Sequence, residues 1–215
     1  MSALFDILMS EDLRASNGRI NGVVVGVVTN NQDPDGMGRV KVKFPWLSDQ
    51  DESHWARVAA PMAGKERGFY FLPEVEDEVL VAFDHGDARF PYVLGALWNG
   101  KEGPPAKNDD GKNNIRVIKS RSGHIIRLTD EDGKEKIEII DKSEKNSIVL
   151  DTAKNTMTIT SEKDIVFSAS KGTIKLDGQK IEIKSSDDTK IESGAGMDVK
   201  ASAAMNIKGS AVNIN

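Results

Sequence analysis

The back half of the chain repeats pairs of aliphatic residues two positions apart, and this pattern narrows the possible folds more than any other feature. The pairs are Ile137/Ile139, Ile148/Leu150, Met157/Ile159, Ile165/Phe167, Ile174/Leu176, Ile181/Ile183, Met197/Val199, Met205/Ile207 and Val212/Ile214. Thr189/Ile191 is a weaker member of the series. From Ile165 to Val212 the step averages about eight residues. Residues i and i+2 of a strand point to the same side, so each pair puts two apolar side chains on one face of a short strand. Turn-prone stretches such as ASKG, LDGQ, SSDD and SGAG separate the pairs.

A short strand with two inward aliphatics cannot bury them alone and must be stacked, which means a solenoid or a fibre. Two architectures satisfy that need. One chain can wind a three-faced β-helix with about 24 residues per coil, but ten strands then make only about three coils, few for an uncapped solenoid. Alternatively, three chains intertwine, each giving one strand per face in rotation. Each repeat then advances one strand spacing, roughly 4.7 Å, and ten repeats span roughly 47 Å. Charges between the apolar positions balance over residues 156–215, eight Lys against eight Asp/Glu, as a solvated outer face requires.

The front of the chain is a different object. All seven prolines lie at or before Pro105, and eleven of the twelve aromatics lie at or before Trp98. Residues 20–100 hold short apolar or alternating runs, at Gly22–Thr29, Arg39–Phe44, Trp55–Ala60, Gly68–Leu72, Glu78–Phe83 and Tyr92–Leu97. In RVKVKF the alternation puts Val40, Val42 and Phe44 on one face. Turn sequences DPDG, PMAGKERG and DHGD lie between the runs. Five or six strands in about 80 residues predict a small closed β-barrel, because closure hides strand edges. The aromatics Phe44, Trp46, Trp55, Phe69, Tyr70, Phe71 and Trp98 are expected in its core and at subunit contacts. Asn99–Asn114 (NGKEGPPAKNDDGKNN) has linker composition. The expected division is therefore an arm over 1–19, a barrel over 20–100, a linker over 101–114 and a repeat region over 115–215.

Composition excludes several classes of function. The 215 residues carry a net charge of −5 and no cysteine, which removes disulfides, Cys–metal centres and thiol nucleophiles. Residues 20–100 hold seven Lys/Arg against twelve Asp/Glu, the wrong balance for nucleic acid. The longest apolar run, Val23–Val28, is far short of the roughly 20 residues of a membrane-spanning helix. The three histidines, His54, His85 and His124, have no ligand partner at metal spacing, so no metal or cofactor is expected. Asp130-Glu131-Asp132-Gly133 suits a hairpin turn between Ile125–Leu128 and Ile137–Ile140 better than a calcium loop. Gly194-Ala195-Gly196 lacks the remainder of a phosphate loop, and no GxSxG is present. The carboxylates Glu74, Glu76, Asp77 and Glu78 lie in a strand-entry turn, where a solvated cluster is expected rather than an acid–base pair. No enzymatic activity is expected. At the N-terminus, Met1, Leu4, Phe5 and Leu8 share one helical face, as a frayed terminus or a docking arm would.

Together these residues resemble the central spike proteins of contractile injection machines, namely the phage baseplate assembly protein V family and the spike half of the VgrG proteins. The matching motifs are GRVKVKFPW (Gly38–Trp46), WARVAAP (Trp55–Pro61), GFYFLPEVEDEVLVAF (Gly68–Phe83), Gly86-Asp87, PYVLGALW (Pro91–Trp98) and SRSGH (Ser120–His124). Glu76 departs from the pattern, standing where that family usually has glycine. The resemblance implies an all-β chain, with an OB-fold barrel followed by a triple-stranded intertwined β-helix in a homotrimer. It implies a spike that is driven through a target membrane on sheath contraction. The alternative is a β-helical surface- or carbohydrate-binding tail fibre, against which the lone late aromatic, Phe167, argues. The hub domain of VgrG proteins is missing. A separate hub protein, linking to the inner tube, is therefore expected at the barrel end, with Leu4, Phe5 and Leu8 as its contacts. A PAAR-like tip protein is expected on Met205, Ile207, Val212, Ile214 and Asn215, where the repeats stop in phase. The resemblance places synthesis in the bacterial cytoplasm and the product in a virion or a phage-tail-like particle.

Overall fold

The computed structural model describes residues 19–213. It is all-β, with thirteen strands and one short 3-10 turn among those residues. The chain divides into two compact units, residues 1–162 and 163–215.

The first unit opens with a six-stranded sheet. Its strands are β1 (Val23–Asn30), β2 (Lys41–Phe44), β3 (Ser48–Glu52), β4 (Arg57–Val58), β7 (Glu78–Phe83) and β8 (Pro91–Ala96), in the order β3-β2-β1-β7-β8-β4. β4 pairs in parallel with β8 on one side. On the other side Ala56, just before β4, bridges Val40, just before β2, with backbone bonds of 2.7 and 3.0 Å. That bridge joins the two ends of the sheet into a barrel. The expected alternation is present: Val40, Val42 and Phe44 are 0, 0 and 2% exposed. Val79, Val81 and Phe83 on β7 face them, and Val28, Ala56, Val93 and Ile20 complete the core. Burying each such side chain contributes about 1.5–3 kcal/mol, so this small valine-rich cluster carries the barrel. Gly26 is required at the crossing of β1 over β2, because a Cβ there would lie 2.3 Å from Val42 Cγ1.

Two details of the barrel differ from the sequence expectation. β3 was not expected, because SDQDE has no apolar alternation; it is an edge strand held by β2. The run Gly68–Leu72 is not a strand beyond its first residue. A two-stranded tongue, β5 (Ala63–Gly64) with β6 (Arg67–Gly68), ends there. The aromatics after it are exposed, at 53% for Phe69, 79% for Tyr70 and 65% for Phe71. Trp46 and Trp98 are likewise exposed, so of the seven aromatics only Phe44 is in the core.

Next comes a five-stranded antiparallel meander. It runs through β9 (Ile115–Lys119), β10 (Ile125–Thr129), β11 (Lys136–Ile140), β12 (Ser147–Asp151) and β13 (Thr156–Thr160). Glu131–Gly133 lies in the hairpin between β10 and β11, where Lys134 N–H donates to Glu131 C=O. The first pairs of the repeat series thus make their ladders inside one chain. Residues 163–213 contain no strand ladder among the described residues and run as irregular backbone with bends and turns.

The position that departs from the injector pattern is a type II turn. Asp77 N–H donates to Glu74 C=O at 3.1 Å, and Glu76, the third residue, has φ +77°. Glycine is the residue that suits this φ. A left-handed conformation costs a residue with a Cβ about 1–2 kcal/mol, and glycine loses back about 0.5–1 through its freer unfolded chain. Glu76→Gly is expected to stabilise the barrel by ~0.5–1 kcal/mol, seen as a higher denaturant midpoint in equilibrium unfolding.

Candidate interaction surfaces

Three surfaces stand out: a polar loop that braces the barrel, the exposed apolar face of the meander, and the aliphatic series of residues 163–213.

The DPDG turn folds around the Asp33 carboxylate, whose side chain is only 3% exposed. Arg39 donates to it through Nε at 2.9 Å and Nη2 at 2.6 Å. The backbone N–H groups of Asp35, Met37 and Arg39 donate as well, at 3.1, 3.0 and 3.2 Å. The guanidinium holds the Asp33 carboxyl far below the usual carboxylate range, and the backbone donors add to this. Arg39 also lies over the Trp55 ring, 5.8 Å from its centroid, beside Lys41 at 5.6 Å. This cluster ties the β1–β2 connection to the wall of the barrel.

The other singled-out polar residues are structural too. Asp77 accepts from Glu74 N–H at 2.8 Å, and Glu74 accepts from Arg121 at 2.7 Å. The carboxylate cluster therefore closes its own turn. His124 Nδ1 accepts from Lys142 N–H at 3.2 Å. Asp141 is held down to about 2 by Asn146 and Ser143 in the β11–β12 connection. No group of three potential metal ligands is found among the described residues.

The meander presents two apolar rows on one face. Register pairs align Ile118, Ile126, Ile139, Ile148 and Ile159 in one row. Leu128, Ile137, Leu150 and Met157 make the second. All but the half-buried Ile148 are 40–65% exposed, and the first row lines a hollow of about 510 Å³. The opposite face carries cross-strand ion pairs, Arg127–Glu138 at 2.8 Å and Lys136–Asp151 at 3.9 Å, and is the less exposed of the two, with Asp151 buried. The apolar face is the open one and calls for a cover.

The aliphatic pairs of the second unit are as open. Ile174, Ile181, Met197, Met205 and Val212 are 48–53% exposed, and Leu176, Ile183, Val199 and Ile207 more so. Of the residues expected at a tip contact, Met205, Ile207 and Val212 are exposed on this segment; Ile214 and Asn215 lie outside the described residues. The expected hub contacts Leu4, Phe5 and Leu8 also lie outside them. Phe69–Phe71, expected in the core or at subunit contacts, are not core and stand exposed after the tongue over a groove of about 680 Å³.

Acidification should expose the role of Asp33. A carboxylate held ionised below its ordinary value contributes stability that is whole above about pH 4 and is lost as the pH falls through the ordinary range and below. Asp33→Asn should lower the barrel melting temperature by several degrees at pH 7. The gap from the parent should begin to narrow near pH 4 and keep narrowing down to the lowest pH at which the barrel stays folded, in thermal melts taken at half-unit steps.

Comparison with known proteins finds one family model and several relatives similar to this chain. Residues 24–98 match the type VI secretion system/phage-baseplate injector OB domain family. The chain is 28% identical over 159 residues to the type VI secretion system spike protein VgrG1a of Pseudomonas aeruginosa, covering 69% of this chain and 25% of that protein. It is 33% identical over 102 residues to VgrG3 of Vibrio cholerae, covering 44% of this chain and 10% of that protein. It is 34% identical over 105 residues to VgrG1c of Pseudomonas aeruginosa, covering 47% and 14%. The chain spans a quarter or less of the length of these curated relatives.

Proposed function

We propose that this chain, a VgrG-like relative of baseplate spike proteins with an injector OB domain at residues 24–98, acts as the spike of a contractile injection particle. It works as a homotrimer and not as an enzyme. The observation that carries the reading is the run of exposed aliphatic pairs at eight-residue spacing on a backbone with no strand ladder of its own among the described residues. Such a backbone must find ladder partners, and such pairs must find cover. Three copies wound together supply both, and a triple-stranded β-helix over the repeats results. The open face of the meander is covered by the same association. The barrel residues and the arm over 1–19 then meet a separate hub on the inner tube. The exposed end of the series, around Met205, Ile207 and Val212, holds a PAAR-like tip. Sheath contraction drives the rod through the target membrane, with the load borne by ladders that cross chains. Synthesis in the cytoplasm precedes assembly into the particle. The rival tail-fibre reading wants aromatic platforms along the repeats, and Phe167 stands alone there.

Light scattering of the full chain tests the assembly. A mass near 70 kDa, three times the 23.4 kDa chain, is expected, and a monomer would contradict it. Ile181→Asp with Ile183→Asp buries charge along the axis and costs several kcal/mol per chain. The double variant should lose its trimer in hot detergent while the parent keeps it. Particles purified by a tagged copy should yield the hub and tip proteins with it.

A further inference from the structure

Residues 163–213 carry a second pattern, on the side opposite the aliphatic pairs. The residue between two inward positions points outward, and so does the residue that follows them. In four successive repeats the intervening residue is Lys175, Glu182, Lys190 and Asp198. The following residue is Asp177, Lys184, Glu192 and Lys200. Both columns alternate in sign from one repeat to the next, in opposite phase. Glu182 pairs with Lys180 instead of Lys184. The other three of the four pairs form ion pairs: Lys175 and Asp177 are 3.7 Å apart, Lys190 and Glu192 2.6 Å, Asp198 and Lys200 3.9 Å. All six groups are more than 70% exposed, so pairs within a strand contribute little by themselves.

From this alternation we infer that the charges of these four repeats set the register between copies of the chain: neighbouring strands of the rod are consecutive repeats from different copies, and between repeats 174–177 and 197–200 every outward contact joins opposite charges; the alternation ends there, with Lys208 following Lys200. The inference deepens the trimer reading above and rests on it. Three intertwined chains, each advancing one face and one strand spacing per repeat, put a given repeat of one copy beside the next repeat of another. Lys175 of one copy then lies beside Glu182 of a second. Glu182 lies beside Lys190, and Lys190 beside Asp198. In the other column Asp177 meets Lys184, Lys184 meets Glu192, and Glu192 meets Lys200. Facing side chains on neighbouring strands are about 5 Å apart at Cβ, close enough for each charge to act on its neighbour.

The aliphatic pairs cannot make this choice. They recur with one period, so a slip of a whole repeat leaves the core equally well filled. Charge breaks the degeneracy. With identical repeats side by side, Lys175 would face Lys175 and every contact in both columns would repel. A slip of one repeat from the attractive register gives that arrangement. The same chain already uses facing opposite charges where its strands are paired. Arg127 is the register partner of Glu138 and is bonded to it at 2.8 Å. Lys136 is the register partner of Asp151, at 3.9 Å.

A four-site variant of the full chain tests this. Glu182→Lys, Lys184→Glu, Asp198→Lys and Lys200→Asp together keep the net charge and the opposite signs at 175/177, 182/184, 190/192 and 198/200; the exposed Lys180–Glu182 pair is lost alike in this variant and in the eight-site one below, so it cancels between them. They leave one column all basic and the other all acidic. An eight-site variant that also carries Lys175→Glu, Asp177→Lys, Lys190→Glu and Glu192→Lys restores the alternation with all signs inverted. In low salt the four-site trimer should melt roughly 5 °C or more below the parent. That gap should shrink in about 0.5 M salt, where charges farther apart than a few ångströms are screened. The eight-site trimer should melt with the parent. A four-site variant that forms no trimer, beside an eight-site variant that does, supports the inference equally. Equal melting of the parent and the four-site variant in low salt would overturn it and leave the trimer reading standing. An eight-site variant as weak as the four-site one would overturn it too. A parent that is monomeric in light scattering would remove the trimer reading first, and this inference with it.

Discussion

Backbone hydrogen bonding is the constraint on which the rest of this molecule depends. Each residue brings one donor and one acceptor, and these groups must be paired wherever water is excluded. In the barrel the chain meets that demand alone. The Val40–Ala56 bridge turns an open six-stranded sheet into a closed one, and the valine core fills behind it. In the meander the chain again pairs with itself, strand after strand. Over residues 163–213 the described residues show unladdered backbone and exposed aliphatics together, a combination that suits association and not solitude.

The two parts of the repeat series differ through spacing, not composition. In the meander the pair centres are eleven, eleven and nine residues apart, at 127, 138, 149 and 158. That leaves connections of four to six residues between five-residue strands, enough for the chain to reverse and pair antiparallel. From Ile165 onward the spacing drops to about eight, which leaves about three residues for each connection, and no hairpin ladder forms among the described residues of 163–213. A stack of corners advances along an axis, which is the geometry that intertwining copies need.

Much of this was legible beforehand and some was not, for identifiable reasons. RVKVKF announced its buried face because Val40, Val42 and Phe44 alternate with charge. The Asp-Gly hairpin after Leu128 was legible from its turn residues. The difference between eleven-residue and eight-residue spacing was also present in the sequence, but the shared i, i+2 pairs masked it, and the whole series was read as intertwined. β3 was invisible because an edge strand such as SDQDE needs no apolar side. For Phe69–Phe71 size and hydrophobicity suggest burial, either in the core or at subunit contacts, and the residues after the short β5–β6 tongue are outside the core. Glu76 was recognisable as an odd residue in a glycine position, and its φ of +77° shows the turn kept its shape at the side chain's expense.

The claim that copies of this chain complete one another's ladders is tested most directly by hydrogen exchange, resolved to single residues, on the full-length protein. If strands of neighbouring copies pair across the repeats, the amides of the strand residues from Ile174 to Lys208 are protected. Their protection is then lost together, at the denaturant concentration where the assembly dissociates. Exchange of those amides at the rate of an unstructured chain, while the barrel core at Val42 and Val81 stays protected, would contradict the account.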